Sequence, residues 1–468
     1  MTTDRRGGGK LRDKAADAAR EAARDVLRAV RERDAYANLL LPSLLRERGI
    51  TGRDAALATE LAYGTARAQG TLDAVIAAAA GRPVAEIDGR LLDVLRLGAY
   101  QLLRTRIGSH AAVSTSVDLV RAEDGQGPAG FVNAVLRKVS QRDEDLWADE
   151  LAPSIAEDPV GHLAFRYSHP RWIADVFTEA LGGSVGSLQA ALAADDARPE
   201  VHLVARPGQV SAAELAAMCG GDEGRWSPYC VYLPGGDPGQ LDAVREGLAG
   251  VQDEGSQLVA LALTRAELNG PDRGRWLDLC AGPGGKAALI GSLAQISGAH
   301  LDAVEISEHR AELIRSLTAD LPVTVIVGDG RDPGLTPGYD RVLVDAPCSG
   351  LGSLRRRPEA RWRRRPSDVD ELVPLQRALL TEALALVRPG GAVVYSTCSP
   401  HPAETVGVVD AVCATTGATV IDARGFVQTD GMAVPDLGPG PHVQLWPHLH
   451  GTDAMYLAAL RRPGEAQT

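Results

Sequence analysis

At 468 residues, with 45% hydrophobic content, the chain has enough apolar material for two or three folded domains and is not globally disordered. Its net charge of −12 excludes non-specific coating of nucleic acid. The charge is uneven: residues 1–150 carry 23 Lys and Arg against 22 Asp and Glu, so the balance of −13 lies in the rest, and an RNA-binding surface has to be a local basic patch.

Residues 1–15, polar and Gly-rich, are expected to form a frayed, disordered tail. From 16 to 142 the pattern is helical: AARDVLRAV, LATELAYGTAR, TLDAVIAAAA, LLDVLRLGAYQLL and FVNAVLRKV repeat apolar residues at three- and four-residue spacing, which predicts five to seven helices. Residues 143–167, acidic and Pro-containing, read as a linker helix and domain boundary. Over 168–256 the helix SHPRWIADVFTEALGG is followed by short strands (VHLVA, YCVYL, AGVQDE) alternating with helices (SAAELAAM, LDAVREGL), a small α/β subdomain. From 257 to 464 the alternation is regular, with strands RWLDLCA, HLDAVEI, VTVIVGD, RVLVDA and AVVYST separated by longer helices or turns. That pattern predicts a parallel, doubly wound sheet.

Two stretches carry chemistry. RVLVDAPCSGLG, residues 341–352, runs from a buried strand into Asp345 and Cys348; GGAVVYSTCSP, residues 390–400, runs from another into Cys398. Open α/β sheets bind ligands at strand carboxyl ends, so two thiols and a carboxylate there predict a reaction centre. In a doubly wound sheet these two strands are expected to be neighbours, with both cysteines over one pocket.

LDLCAGPGGKAA, residues 277–288, is a strand, a Gly-rich turn and a helix start, with Asp278 before the turn. Glu305 ends the next strand, where a carboxylate grips ribose hydroxyls, and Asp329 ends the third, within reach of an adenine amine. The turn lacks the G-x-G-x-x-G spacing of a dinucleotide site. An acid in the first strand suits a ligand with a cationic amino-acid head, which fits S-adenosylmethionine and not NAD.

Between the two cysteines, RRRPEARWRRR places seven Arg and one Trp in residues 355–365. This is a basic-plus-aromatic pattern for RNA phosphates and bases, with a solvated arm as the alternative. The six cysteines show no metal-ligand spacing, so no metal is expected. There is no signal peptide and no bilayer-length apolar run, so a cytoplasmic protein with reduced thiols and no membrane partner is expected. Cys219, Cys230 and Cys413 have no partner motif and are assigned no chemistry.

AARDVLRAV, AYGTAR, LLDVLRLGAYQLL and FVNAVLRK follow the order seen in NusB-like RNA-binding domains. LDLCAGPGGKAA, AVEIS, GDGRD, DAPCSGLG with RRRPEARW, and YSTCSPHPAE resemble, in order, the RNA 5-methylcytosine methyltransferases of the Sun/Fmu type, and with the helical amino terminus the bacterial 16S ribosomal RNA cytosine-5 methyltransferases. The resemblance implies a NusB-like helical domain, a small α/β RNA-recognition subdomain and a Rossmann-like catalytic domain. It implies methylation of C5 of a cytosine with S-adenosylmethionine as cofactor.

By the same resemblance Cys398 is the nucleophile, Cys348 assists release and Asp345 addresses the base. The cofactor would meet Cys280, Ala281, Gly282, Pro283, Gly284, Gly285, Lys286, Glu305, Arg310, Asp329 and Asp345, and RNA would meet Arg355, Arg356, Arg357, Arg361 and Trp362. Lys286 is expected to point into the site, and Cys280 to be core beside its backbone role. Departures from the pattern are Glu305, where many relatives carry Asp, and Asp453-Ala-Met-Tyr in place of Asp-Gly-Phe-Phe. The expected partner is small-subunit ribosomal RNA, acted on by a monomer. A transfer RNA methyltransferase and a non-catalytic RNA-binding assembly factor are the alternatives.

Overall fold

The computed structural model describes residues 7–463, with side chains from residue 18 onward. The chain divides into two compact units, one running to residue 197 and including 354–364, the other comprising 198–353 and 365 onward.

The first unit is helical: α1 (Gly7–Arg33), α2 (Ala37–Glu47), α3 (Gly52–Arg67), α4 (Gln69–Ala80), α5 (Gly89–Arg104), α6 (Ser109–Asp124), α7 (Gln126–Val139), α8 (Glu144–Leu151), α9 (Pro159–Arg166), α10 (Arg171–Ala180) and α11 (Val185–Asp196). The three- and four-residue spacing does what it predicts: Val26, Leu61, Leu72, Leu95 and Leu136 meet in one core.

Three boundaries differ from expectation. Residues 7–15 of the expected tail belong to α1, whose Ala, Arg, Lys and Leu are strong helix formers, while residues 1–6 lie outside the described residues. Residues 143–167, expected as a linker helix at a domain boundary, form two helices, α8 and α9, capped by the Asp143 and Asp158 side chains. Trp147 of α8 is buried in the helical core and donates to Val139 O at 3.2 Å; the acidic outer face of α8 concealed that inner face. α10 and α11 also belong to the helical unit, so the small α/β subdomain begins at Arg198 and not at 168.

The second unit opens with β1 (Val201–Ala205), α12 (Ala212–Cys219), β2 (Asp222–Glu223), β3 (Cys230–Leu233), α13 (Asp242–Arg245) and β4 (Ala249–Val251). These strands form an antiparallel sheet in the order β2-β3-β1-β4. The Rossmann-like part follows as α14 (Glu254–Arg265), β5 (Arg275–Asp278), α15 (Gly285–Ser297), β6 (His300–Glu305), α16 (Glu308–Leu317), β7 (Val323–Val327) and β8 (Tyr339–Asp345). After α17 (Ala360–Arg363), which lies in the helical unit, come α18 (Pro366–Leu386), β9 (Val387–Thr397), α19 (Val406–Thr416), β10 (Thr419–Ile421), β11 (Val443–Gln444), α20 (Pro447–His450) and β12 (Tyr456–Arg461).

The large sheet runs β10-β12-β9-β8-β5-β6-β7, with β11 paired to β12. β5 to β9 are mutually parallel, and β12 returns antiparallel beside β9. From β5 the chain passes outward to β6 and β7, then crosses back to β8 and β9. The crevice outside the carboxyl ends of β5 and β8 is therefore the topological switch point where such sheets bind ligands. Asp278 ends β5 and Asp345 ends β8. Among the described residues no helix is long and apolar enough to cross a membrane.

Candidate active site

β8 and β9 are neighbours, with Asp345 in register with Ser396. Ala346 N donates to Ser396 O at 2.9 Å, and Pro347 then supplies no donor, so the two chains leave the sheet side by side as polar loops. Each loop carries a Cys-Ser pair. Cys348 Sγ and Cys398 Sγ stand 3.4 Å apart, both half-buried.

Asp345 accepts from Lys286 Nζ at 2.7 Å through one oxygen and from Ser396 Oγ at 2.9 Å through the other. Lys286 comes from the first turn of α15, so the Gly-rich turn and the thiol loops meet at this ion pair. Burial works against the Lys286 charge, but Asp345, and then Cys398, outweigh it and raise the ammonium above its ordinary value. Cys348 is pushed well above the usual thiol range, first by its hydrogen bond with Cys398, then by burial and by the charges of Cys398, Glu404 and Asp345. The Ser353 hydroxyl faces Cys398 Sγ at 4.0 Å, and Gly352 N donates to Cys398 O at 2.9 Å.

On the other side of the switch point Asp278 is fully buried. Its Oδ1 accepts weakly from Cys280 N at 3.3 Å, and its Oδ2 has no hydrogen-bond partner among the described residues. Burial, with Asp345 close by, pushes its carboxyl up to about 7. Glu305, also buried, accepts from Ser307 N at 2.8 Å and pairs with Arg310 at 2.6 Å. Its Oε2 lies against Gly282 so closely that a Cβ there would stand 2.0 Å from it, which is why no side chain fits at this turn.

An orphaned buried carboxylate oxygen and a second carboxylate against a bare backbone turn fit a ligand with a cationic head and vicinal hydroxyls. Cys280, Ala281, Pro283, Gly284 and Gly285 supply the turn and the uncapped start of α15 between those acids. The Cys280 thiol is raised well above its usual range by burial, then by Asp278, which keeps it protonated and unreactive. Asp329 stands two residues beyond β7, chelated by Arg331 and lowered to about 2. Gly330 beside it packs on Leu279 O, which keeps this loop next to the turn. Among the described residues no three His, Cys, Asp or Glu side chains gather as metal ligands.

The basic segment is a correction. Residues 354–364 belong to the helical unit, and Arg361 is completely buried. It donates to Ser168 O at 3.0 Å and Asp195 O at 3.1 Å and pairs with Asp195 Oδ2 at 3.3 Å; that oxygen also meets His169 at 3.0 Å. Trp362 Nε1 donates to Ala66 O at 2.9 Å, with its ring over Gly70. Arg355 is buried as well. Arg363 closes the end of α1 through Val30 O at 2.7 Å and Ala35 O at 2.8 Å, because a guanidinium matches the bare carbonyls of a helix terminus. Arg355 and Arg361 are thus buried inside the protein, and Trp362 is half-buried with its indole N–H committed to Ala66 O. Arg356 is half-buried, and of the five expected contacts only Arg357 is exposed.

Sequence reasoning passed over Ser349, Ser353, Gln376, Ser396, Ile306 and Glu404. Ile306 is 62% exposed directly after Glu305, an apolar residue bared at a strand end. Glu404 closes the YSTCSPHPAE stretch, but its charge gave no sign that it is buried beneath both cysteine loops.

A family model described as 16S rRNA methyltransferase RsmB/F matches residues 266–461, and a NusB family model matches residues 17–141. The Mycobacterium tuberculosis protein Rv1407, named only as a methyltransferase, is 60% identical over 446 residues, covering 95% of this chain and 97% of its own. The Cronobacter sakazakii ribosomal RNA small subunit methyltransferase B is 32% identical, covering 88% of this chain and 94% of its own. The chain belongs to the RsmB/F family. It is accordingly an S-adenosylmethionine-dependent RNA methyltransferase with a NusB-like helical domain. Among solved structures, PH0851 shares its fold with a TM-score of 0.77 at 20% identity, covering 96% of this chain and 98% of that one. NSun6 from Pyrococcus horikoshii, solved with SFG, matches with a TM-score of 0.52 at 17% identity, over 63% of this chain and 98% of that one.

Proposed function

We propose that the protein methylates C5 of a cytosine in 16S ribosomal RNA through a covalent bond between Cys398 and C6 of the base. The observation that carries this reading is the thiol pair 3.4 Å apart beside the Lys286–Asp345 ion pair. Asp278, the turn from Cys280 to Lys286, and Glu305 with Arg310 would hold S-adenosylmethionine, with Asp329 on the adjoining loop; SFG, an analogue of it, accompanies the related NSun6 fold. When bound, S-adenosylmethionine supplies the electrophilic methyl group that C5 takes.

The chain's own residues do the rest. C5 of cytosine is a poor nucleophile until a thiolate adds to C6, forming the S–C6 bond and moving the C5=C6 electron pair toward C5. Asp345 meets ring N3 as the protonated carboxyl, its proton drawn from Lys286 across the 2.7 Å pair, and donates a hydrogen bond as negative charge develops there. Loss of the C5 proton to solvent water then restores the C5=C6 bond and breaks the S–C6 bond, its electron pair leaving with the Cys398 sulfur. The Cys348 thiol, raised by its hydrogen bond with Cys398 and by burial, favours its protonated form, which supports an assisting and not an attacking role. Cys398, which lies within the reach of the Lys286 charge and is faced by the Ser353 hydroxyl, is the attacking thiol, and Cys348 assists elimination.

Incubating the protein with labelled S-adenosylmethionine and unmethylated 16S rRNA or tRNA tests the reading. Label at C5 of a cytosine in 16S rRNA is the expected result. Label confined to tRNA would move the substrate to transfer RNA, and no label in either would remove the catalytic reading.

A further inference from the structure

The two cysteine loops lie beyond the hydrogen-bonded ladder, so the parallel strands alone do not fix the separation of the sulfurs. We propose that Glu404 is a positioning residue for the thiol pair, its buried carboxylate tying the Cys348 loop to the Cys398 loop and holding the two sulfurs in contact.

Glu404 has no exposed surface. Its Oε1 accepts from Ser349 N at 2.7 Å and from Gln376 Nε2 at 3.0 Å. Its Oε2 accepts from Ser399 Oγ at 2.7 Å and from Ser349 Oγ, and the two hydroxyl oxygens are themselves 3.1 Å apart. Ser349 directly follows Cys348 and Ser399 directly follows Cys398, so one carboxylate grips the residue next to each thiol. Gln376 of α18 also donates to Pro347 O at 2.9 Å, bracing the first loop from behind. Tyr395 Oη donates to Glu404 O at 2.7 Å and anchors the backbone that carries the clamp.

Among the described residues no cation pairs with Glu404. A buried carboxylate without a counter-ion is costly unless its lone pairs are used, and here four donors use them. The donors are of two kinds. Those on Oε1 are N–H groups that can only donate, whereas those on Oε2 are hydroxyls that can turn and accept. Glutamine can therefore replace Glu404, with its amide oxygen at Oε1 and its NH2 donating to the serines. Aspartate, shorter by one methylene, cannot reach both loops.

The role in turnover rests on the two-thiol mechanism above, but sulfur separation can be measured without turnover. Phenylarsine oxide, a trivalent arsenical, is held tightly only when two thiols bond to one arsenic. Glu404→Gln should capture it nearly as well as the unaltered protein. Glu404→Asp and Ser399→Ala should each weaken capture and lower kcat by about tenfold or more, as expected for loss of a charge-assisted hydrogen bond. S-adenosylmethionine affinity should stay unchanged in all three, reporting an intact fold. Undiminished arsenical capture by both Glu404→Asp and Ser399→Ala would overturn the clamp. Weakened capture with full methylation would leave the clamp standing and remove the two-thiol mechanism instead.

Discussion

Lys286 and Asp345, 59 residues apart, form one ion pair at 2.7 Å that joins the start of α15 to the end of β8. It sets a carboxylate beside the thiols, and the Lys286 charge works against the rise that burial and Asp345 impose on the buried Asp278. Replacing Lys286 with Met should cost about 3 kcal/mol of stability, the low end for breaking a largely buried pair. It should also slow methylation at saturating substrates. Urea unfolding checks the first effect and initial rates the second; a fully active variant would take Lys286 out of the site.

Glu305→Ala should weaken S-adenosylmethionine binding about ten- to a hundredfold, since a hydrogen bond to a charged group contributes about 1.5–3 kcal/mol. Gly282→Ala should be at least as severe, because the added Cβ would occupy the space of the Glu305 carboxylate. Calorimetry on both variants measures this, and unaltered affinity in either removes that contact.

Cofactor affinity should depend on pH through Asp278. Burial and Asp345 raise its carboxyl from 3.8 to about 7, so the folded protein without ligand favours the protonated acid. That contribution to stability is fully present below about pH 4 and is lost as pH rises through about 7. A cationic ligand head favours the ionised form instead. Affinity should therefore rise with pH, by up to about tenfold per unit below 7, and level off above it. Titrations from pH 5.5 to 8.5 in two buffers of different ionisation enthalpy should show proton release at the acid end. A flat profile would place the cation away from Asp278.

Cys398→Ala should abolish methylation and keep cofactor binding. Cys348→Ala should permit attack and methyl transfer but impair elimination, leaving protein covalently joined to RNA as a ribonuclease-sensitive slow band on a denaturing gel. The double variant should show no such band. An adduct formed by Cys398→Ala and not by Cys348→Ala would reverse the roles.

Arg361→Met should destabilise the helical unit by about 3–5 kcal/mol, because Asp195 loses the buried guanidinium that faces it. The salt dependence of RNA binding should not change. Arg357→Ala, at an exposed position, should leave stability intact and reduce the salt slope by about one phosphate contact. The opposite pattern in a salt titration would return Arg361 to the RNA surface.

Much of this architecture is local. Apolar periodicity marked the helices of the amino-terminal domain and the strands of the Rossmann-like sheet, since period 3.6 and period 2 are set by backbone geometry. Strand ends are local too, so Asp278, Glu305, Asp345, Cys348 and Cys398 could be placed at carboxyl ends before their neighbours were known. The adjacency of the strands bearing the two thiols followed from doubly wound topology, and β8 and β9 pair accordingly.

Which charged groups leave water, and with whom, is set by long-range packing. An arginine reads the same in sequence whether it meets a phosphate or, like Arg361, a buried aspartate and helix-end carbonyls, because desolvation is set by residues far away in the chain. For the same reason Trp147 turned an apparent acidic linker into part of the helical core, and residues 354–364 joined the helical unit. Nothing local to Glu404 signals its burial, because its four donors come from two loops and a helix up to 55 residues away. The sequence by itself placed the reacting groups on their strands; their separation, ionisation and support depend on non-local packing and hydrogen bonding, which no local pattern encodes.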